Sequence, residues 1–222
     1  MADFQANERK LNLKVVYYGP ALSGKTTNLM QLHSLLNPQR KGELMVLETR
    51  DDRTLFFDLL PIGLRSRSGL DLRLKLYTVP GQVQHDSTRK AVLARADGVM
   101  FVADSAPAQQ DNNATAFDNL ADNLQKLGMD IDRLPLVVQF NKRDLSDAID
   151  AAELQTRWSA TPWAPLSLAS ALHGQGVVES LRALLARIYP ALDREFSLAD
   201  QYGLDDQAFI QQLSAAHAAS HA

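Results

Sequence analysis

The sequence predicts a three-layer α/β/α fold, in which helices cover both faces of a six-stranded, mostly parallel sheet with one antiparallel edge strand. Short, nearly continuous apolar runs, which are typical of buried parallel strands, alternate with segments whose apolar residues recur every three or four positions, as in helices. Regular strand–helix alternation of this kind favours a sheet covered on both faces. The six predicted strands are residues 13–18, 55–60, 70–77, 99–103, 136–140 and 166–169.

Apolar residues at helical spacing predict a helix after several of these strands. The first helix follows the strand 13–18 and ends at Asn37-Pro38, because proline stops the pattern. A second helix is predicted over residues 114–127. A third is predicted over residues 177–188, and we expect it to end at Pro190.

The strands 55–60 and 70–77 are joined by a short polar connection, so we expect an antiparallel hairpin at one edge of the sheet. Residues 70–77 alternate between apolar and polar, which is the period of a half-exposed strand. We expect Pro61 and Gly63 to close the first strand of the pair. The long polar segment that precedes the hairpin has little periodicity and is typical of a mobile part of a functional site.

We divide the chain into a main domain, residues 1–190, and a C-terminal extension, residues 191–222. The apolar residues of the extension that can share one face of a short helix are Leu204, Ala208, Phe209 and Leu213. Such a helix either packs on the main domain or binds a partner, and the sequence leaves both open.

Composition and charge exclude several classes of protein. The 222 residues contain no cysteine, which excludes a disulfide framework and thiolate metal sites. The net charge of -3 comes without a long block of like charge, so we expect no nucleic-acid binding. No apolar run approaches the ~18 residues of a membrane span, and neither a secretion signal nor a lipid-anchor motif is present. We therefore expect a cytoplasmic protein that is monomeric when free.

A phosphate-binding loop is predicted between the first strand and the first helix. Its sequence is Gly19-Pro20-Ala21-Leu22-Ser23-Gly24-Lys25-Thr26, which matches the pattern G-x-x-x-x-G-K-[ST] of P-loop NTPases, and Thr27 follows it. Gly19 and Gly24 allow tight turns that bring backbone N–H groups to phosphate oxygens, and the start of the helix adds partial positive charge. Lys25 is placed to neutralise the outer phosphates, and the Thr26 hydroxyl is placed to ligate Mg²⁺.

A second motif, Asn141-Lys142-Arg143-Asp144, follows the buried strand 136–140 and so lies at the edge of the sheet where ligands bind. The Asp144 carboxylate can accept two hydrogen bonds from guanine, and adenine lacks that pair of donors. The aliphatic part of Lys142 can cover the face of the base. The segment Ser170-Ala171 either offers a backbone amide to the guanine carbonyl oxygen or is an ordinary loop before a helix.

A third motif, Thr78-Val79-Pro80-Gly81-Gln82, stands at the end of the strand 70–77. Gly81 can offer its N–H to the terminal phosphate, and Gln82 can orient an attacking water. Gln82 is otherwise a solvated loop residue.

These motifs resemble the Ras-like small GTPases, and within them the bacterial gliding-motility and polarity GTPases of the MglA type. The resemblance covers roughly residues 11–190, and the string Thr-Val-Pro-Gly-Gln at 78–82 separates this subfamily from most Ras-like proteins. Further matching strings lie at 17–20, 22–28, 53–58, 76–77 and 97–99. The resemblance implies a Ras-like G domain that exchanges and hydrolyses a guanine nucleotide.

The resemblance also implies ligands and partners. It implies GTP as substrate, GDP as product, Mg²⁺ as cofactor, and an activating partner of the Roadblock/LC7 fold (MglB type). It implies effectors that act in cell polarity, gliding motility or type IV pili, and recruitment to a cell pole. GTP binding is expected to order residues 40–60 and 80–90, and hydrolysis is expected to release them.

Two further site residues follow from the resemblance alone. Arg53 is implied as a built-in arginine finger that stabilises charge on the transferring phosphoryl group. Thr54 is implied as a ligand of Mg²⁺ when the terminal phosphate is present. Arg53 also stands beside Asp51 and Asp52, so an ion pair within a loop is an open alternative.

Two residues depart from the pattern of the family. Thr78 stands where most Ras-like proteins have an aspartate, so either Thr78 holds the Mg²⁺-bound water itself or Asp58 supplies the charge. Ala21 stands where the subfamily usually has glycine, and its methyl group would lie close to the terminal phosphate. A misplacement of about 1 Å at such a site can cost roughly a hundredfold in rate. We therefore expect slow intrinsic hydrolysis.

Two other functions compete with a hydrolysing switch. A nucleotide-dependent binding module with little hydrolysis is favoured by Ala21 and Thr78. A P-loop metabolic kinase is the other possibility, and the motif ending in Asp144 and the lack of a separate Arg-rich lid segment argue against it.

Overall fold

The computed structural model describes residues 2–47, 57–66, 68–81 and 86–215. Its strands are β1 Asp3–Gln5, β2 Lys10–Tyr18, β3 Met45–Leu47, β4 Phe57–Arg65, β5 Asp71–Thr78, β6 Gly98–Asp104, β7 Leu136–Asn141 and β8 Ser167–Leu168. They form one eight-stranded sheet in the order β3-β4-β5-β2-β6-β7-β8, with β1 paired to β2 outside this path. The strands β5, β2, β6, β7 and β8 are parallel.

Helices cover both faces of this sheet. They are α1 Lys25–Leu35, α2 Asp86–Leu93, α3 Gln110–Lys126, α4 Ala151–Trp158, α5 Val177–Phe196, α6 Leu198–Tyr202 and α7 Asp206–Leu213. One core cluster joins the sheet to α1, α5 and α7, and a second core cluster joins the opposite face to α2, α3 and α4. The predicted three-layer α/β/α architecture is confirmed.

The predicted number of strands was too small, because six were expected and the described residues form eight. The two additional strands, β1 and β3, have three residues each, which is too short to show the alternation that identifies a strand in a sequence. The predicted antiparallel edge strand also needs correction. The strand β4 is antiparallel to β5, but β3 pairs with its other side and forms the edge.

The sequence predicted that the strand β4 ends at Pro61 and Gly63. This was wrong, because β4 continues to Arg65. Pro61 pairs with Lys75 of β5, yet its carbonyl accepts a hydrogen bond from Gly42 N–H on the opposite side (2.8 Å). Within a strand, the N and the carbonyl of one residue point to the same side. The missing N–H of Pro61 therefore costs no hydrogen bond to β5, and the strand can continue.

The helix α5 was also expected to end at Pro190, but it continues to Phe196. A proline inside a helix removes the hydrogen bond to the carbonyl four residues earlier, here that of Ala186. Both Pro190 and Ala186 are exposed, so water can satisfy this carbonyl. The predicted boundary between residues 190 and 191 thus falls inside a helix, and the division into a main domain and an extension stays a prediction.

The C-terminal helices pack on the sheet. Leu204, Phe209 and Leu213 are at most 1% exposed and belong to the core cluster of α1 and α5. The backbone carbonyls of Gln212 and Ala215 accept hydrogen bonds from the segment between α1 and β3. The described part of the extension is therefore packed on the main domain, the first of the two alternatives.

Among the described residues, no helix combines the length and the apolar character that crossing a membrane requires.

Replacing Phe209 by alanine tests how much the C-terminal helix contributes to stability. Phe209 is fully buried and packs on the ring of Tyr189, with the ring centroids 5.4 Å apart. We expect Phe209→Ala to lower the free energy of unfolding by about 3–5 kcal/mol, because it leaves a cavity in the core. Urea denaturation measures this, with the exposed Gln211→Ala on the same helix as control. A loss below about 1 kcal/mol would contradict the packing described.

Candidate functional site

The predicted phosphate-binding loop joins β2 to α1 at the carboxyl ends of the parallel strands. Gly19 has φ 141°, and a Cβ there would lie 2.2 Å from the carbonyl oxygen of Val102 on β6. Gly24 has φ 96°, and a Cβ there would lie 2.2 Å from the side-chain nitrogen of Asn141. Both positions therefore require glycine, because backbone conformation and space each exclude a side chain. The loop is packed directly against the ends of β6 and β7.

Lys25, the first residue of α1, has a nearly buried side chain. Its Nζ donates hydrogen bonds to the carbonyls of Gly19 (3.1 Å) and Pro20 (2.6 Å). Burial, and to a lesser extent the positive charge of Arg89, lower the pKa of Lys25 to about 7, although the carboxylate of Asp58 acts in the opposite direction. Phosphate oxygens beside this ammonium would favour its charged form. The side chain is thus positioned for an anionic ligand.

Thr26, Asp58 and Thr78 form a cluster beside the phosphate-binding loop, in which Asp58 and Thr78 are buried and Thr26 is exposed. The Thr26 hydroxyl donates to Asp58 Oδ2 (2.6 Å), and the Thr78 hydroxyl donates to the same oxygen (3.1 Å). The backbone N–H of Asp58 donates to Thr78 Oγ1 (2.8 Å). Asp58 therefore places its negative charge next to the predicted Mg²⁺ ligand Thr26. Of the two alternatives for the missing aspartate, this geometry favours Asp58.

The oxygens of this cluster fit Mg²⁺. Within the described ranges, no group of three or more His, Cys, Asp or Glu side chains could hold a metal ion. Magnesium does not need such a group, because it is commonly bound by one or two carboxylates together with substrate phosphates and water. The hydroxyl of Thr26 and the carboxylate of Asp58 are hard oxygen donors of this kind.

Gly81 lies against the phosphate-binding loop. A Cβ at Gly81 would stand 2.3 Å from Ala21 Cα and 2.5 Å from Ala21 N, so the two backbones are in contact. The buried side chain of Arg89 donates to the carbonyl oxygens of Pro80 (2.9 Å) and Gly81. Sequence reasoning missed Arg89. The signal that could have found it is its position on the apolar face of α2, one turn before Leu93.

Asn141 connects the two halves of the predicted site. Its Nδ2 donates to the carbonyl of Ser23 in the phosphate-binding loop (2.9 Å), and its Oδ1 accepts from the N–H of Ala171 (2.8 Å). The N–H of Ser170 donates to the carbonyl of Gln175 (2.9 Å). Both backbone amides of Ser170-Ala171 thus have protein acceptors in this arrangement. Their predicted contact with the guanine carbonyl oxygen stays a prediction.

The residues predicted to surround the base lie together after β7. The Lys142 ammonium forms an ion pair with the buried carboxylate of Asp104 (2.6 Å), an interaction that sequence reasoning did not identify. Asp104 ends β6, so this pair joins two neighbouring strand ends. The Asp144 carboxylate accepts a hydrogen bond from the Ser170 hydroxyl, which lowers the pKa of Asp144. A carboxylate that stays ionised is the acceptor that guanine requires.

The remaining predicted residues are placed as follows. Leu22 has φ 61° and is 89% exposed at the tip of the loop, whereas Ser23 is buried. Thr27 lies in the first turn of α1. Gln82, Arg53 and Thr54 lie outside the described residues, so their predicted roles remain untested.

The chain has clear similarity to known proteins. The model of the ADP-ribosylation factor (Arf) family matches residues 64–188. The chain is also 41% identical over 194 residues to the protein named "Mutual gliding-motility protein MglA" of Myxococcus xanthus (strain DK1622). That alignment covers 87% of this chain and 99% of the relative.

Proposed function

Because this chain belongs to the MglA-like small GTPases of the Ras and Arf type, we propose that it is a switch that binds GTP, hydrolyses it to GDP and acts through effectors that recognise the GTP state. The observation that carries the proposal is the bridge made by Asn141. Its side chain connects the phosphate-binding loop at Ser23 to the segment at Ala171. Ser23 is 118 residues from Asn141 in the sequence, and Ala171 is 30 residues from it. This bridge supports a proposed phosphate site and a proposed guanine site that lie beside each other.

We propose that the residues of the phosphate-binding loop, from Gly19 to Thr27, hold the polyphosphate through backbone N–H groups and the Lys25 ammonium. Mg²⁺, when bound, neutralises charge on the phosphate oxygens. Thr26 is proposed as its ligand. Asp58, whose carboxylate accepts a hydrogen bond from the Thr26 hydroxyl, supplies the negative charge that an aspartate at position 78 would otherwise supply.

Two catalytic roles and one metal-binding role are proposed from the resemblance. Gln82 orients the attacking water, Arg53 stabilises charge on the transferring group, and Thr54 completes the Mg²⁺ site. Gly81 offers its N–H to the terminal phosphate. The contact of Gly81 with Ala21 supports this assignment, since it brings the motif that ends in Gln82 onto the phosphate-binding loop.

A role in gliding motility, cell polarity or type IV pili is proposed from the similarity to the M. xanthus protein, whose name refers to gliding motility. On the same resemblance, we propose an activating partner of the Roadblock/LC7 fold and recruitment to a cell pole. A pulldown from cell extract with the GTP-loaded and the GDP-loaded protein tests this. Effectors that bind both forms equally would contradict a switch.

A second candidate function is a nucleotide-dependent binding module that hardly hydrolyses GTP. Ala21 favours it. The Ala21 backbone touches Gly81, so the exposed methyl group of Ala21 lies next to the segment that precedes Gln82 in the sequence. Water and a catalytic side chain would have to enter this space for hydrolysis.

Exchanging the acid that is proposed to recognise guanine tests nucleotide choice. Asp144→Asn replaces one carboxylate oxygen by an amide N–H, which suits the 2-carbonyl of xanthine instead of the 2-amino group of guanine. We expect affinity for GDP to fall by about a hundredfold or more, and affinity for xanthosine diphosphate to rise. Calorimetric titration measures both. Asp147→Asn, an exposed acid three residues away, is the control. An unchanged preference for GDP would contradict the role of Asp144.

Replacing Ala21 by glycine tests the crowding argument. We expect Ala21→Gly to raise the single-turnover rate of GTP hydrolysis by roughly ten- to a hundredfold, because it frees space beside the terminal phosphate. Affinity for GDP, which lacks that phosphate, serves as the internal control and should stay the same. If the glycine variant turns over GTP at an equal or lower rate, crowding by the methyl group is not what limits hydrolysis.

A further inference from the structure

Arg89, on α2, is an arginine whose side chain lies almost wholly inside the protein. Only 1% of its surface is exposed, although it belongs to a short helix of eight residues. Burying a guanidinium is unfavourable unless its N–H groups are well paired. A buried arginine at this position therefore calls for a structural or functional explanation.

The guanidinium reaches in two directions. On one side, Nε donates to the carbonyl oxygen of Pro80 (2.9 Å) and Nη2 donates to that of Gly81. On the other side, Nη1 donates to Asn119 Oδ1 on α3 (2.6 Å) and to the Tyr18 hydroxyl (3.5 Å). The guanidinium also lies over the Tyr18 ring, 5.3 Å from its centroid. Arg89 thus links the loop at the end of β5 to the fixed body of the protein.

The anchor on α3 is itself held in place. The Tyr18 hydroxyl donates to Asn119 Oδ1, and Asn123 Nδ2 donates to the Tyr18 hydroxyl (3.2 Å). Asp86, at the start of α2, accepts from Asn119 (3.2 Å) and Asn123 (2.7 Å). Within the described residues, every direct acceptor of Arg89 is neutral, and Asp86 reaches it only indirectly, through Asn119 or through Asn123 and the Tyr18 hydroxyl. The arginine is therefore fixed by hydrogen-bond geometry and by an aromatic ring, without a direct ion pair.

The two carbonyls determine the orientation of the loop backbone. A trans peptide group is planar, and its C=O and N–H point in opposite directions. The carbonyl of Pro80 and the N–H of Gly81 belong to one peptide group. Because the Pro80 carbonyl points toward Arg89, the Gly81 N–H points away from Arg89. The carbonyl of Gly81 is held in the same way, which orients the next peptide group. The planar fork of arginine can grip two neighbouring carbonyls at once, and a lysine cannot.

We propose that Arg89 is a positioning residue for the terminal phosphate: it clamps the two peptide groups at Pro80 and Gly81 and so fixes the Gly81 N–H beside the phosphate-binding loop. The proposal rests on the guanine-nucleotide switch proposed above. Gly81 is confined from the other side by Ala21, since the two backbones touch. The donor is thus oriented before a nucleotide arrives, and preorganised donors of this kind contribute strongly to binding and stabilising developing charge.

The clamp should distinguish GTP from GDP. Only GTP carries the phosphate that the Gly81 N–H would contact, so loss of the clamp should weaken binding of the triphosphate and slow its hydrolysis. Binding of GDP depends on the phosphate-binding loop and the base site, neither of which Arg89 touches among the described residues. A residue that merely stabilises the fold would affect both nucleotides alike.

Three variants test the clamp: Arg89→Met, which has no donors; Arg89→Lys, which keeps the charge but loses the fork; and Lys90→Met as control. Lys90 is the next residue of α2 and pairs with Asp86 at the surface (3.4 Å). For each, we would measure the affinities for GDP and for guanosine 5′-[β,γ-imido]triphosphate and the single-turnover rate of GTP hydrolysis. Asn119→Leu, which removes the anchor on α3, provides the test if Arg89→Met does not fold.

We expect Arg89→Met to lower the affinity for the triphosphate analogue and the rate of GTP hydrolysis by about tenfold or more each. The affinity for GDP should change by less than about twofold. Arg89→Lys should be impaired nearly as much, Asn119→Leu should change in the same direction, and Lys90→Met should behave as the unchanged protein.

The clamp would be overturned if Arg89→Met lowered the affinities for GDP and for the triphosphate analogue equally, or left both unchanged. Normal binding and hydrolysis in Arg89→Lys would also overturn it. If the unchanged protein bound neither guanine nucleotide, the proposed function would fail instead, so the two failures are distinguishable.

Discussion

The side chain of Asn141 is the constraint on which the rest of the site depends. Its amide donates to the phosphate-binding loop at Ser23 and accepts from Ala171, and its nitrogen fills the space that a Cβ at Gly24 would need. Because Asn141 ends β7, the buried strand sets the distance between the phosphate end and the base end of the site. The parallel sheet thus acts as the rigid support for loops that have no regular structure of their own.

Around this support, the chain departs from the usual Ras-like pattern in ways that its geometry explains. Thr78 cannot supply the negative charge of an aspartate, but it donates to Asp58, which brings a carboxylate to the same place from the neighbouring strand β4. The loop that follows Thr78 is held by Arg89 on one side and touches Ala21 on the other. These contacts are consistent with a small GTPase in which position 78 tolerates a hydroxyl.

Long apolar patterns and motifs with fixed chemistry could be predicted from the sequence, whereas features set by distant contacts could not. The strand β7 is a continuous apolar run, and each residue type in the phosphate-binding loop follows from the needs of a bound phosphate. By contrast, β1 exists only because β2 offers it a partner, and α5 continues past Pro190 because the freed carbonyl faces water. The position of Arg89 one turn before Leu93 on the apolar face of α2 indicates that it points inward, but the sequence does not reveal its acceptors, which lie on other elements.

The account requires that one protein surface bind a polyphosphate and a guanine together. The most direct test is equilibrium binding of GDP and ADP to the nucleotide-free protein in the presence of Mg²⁺. The account predicts saturable binding of GDP and an affinity for ADP lower by a factor of about a thousand or more, because a base without the donor pair leaves the carboxylate of Asp144 unpaired. Comparable affinities for the two nucleotides, or no saturable uptake of GDP, would contradict it.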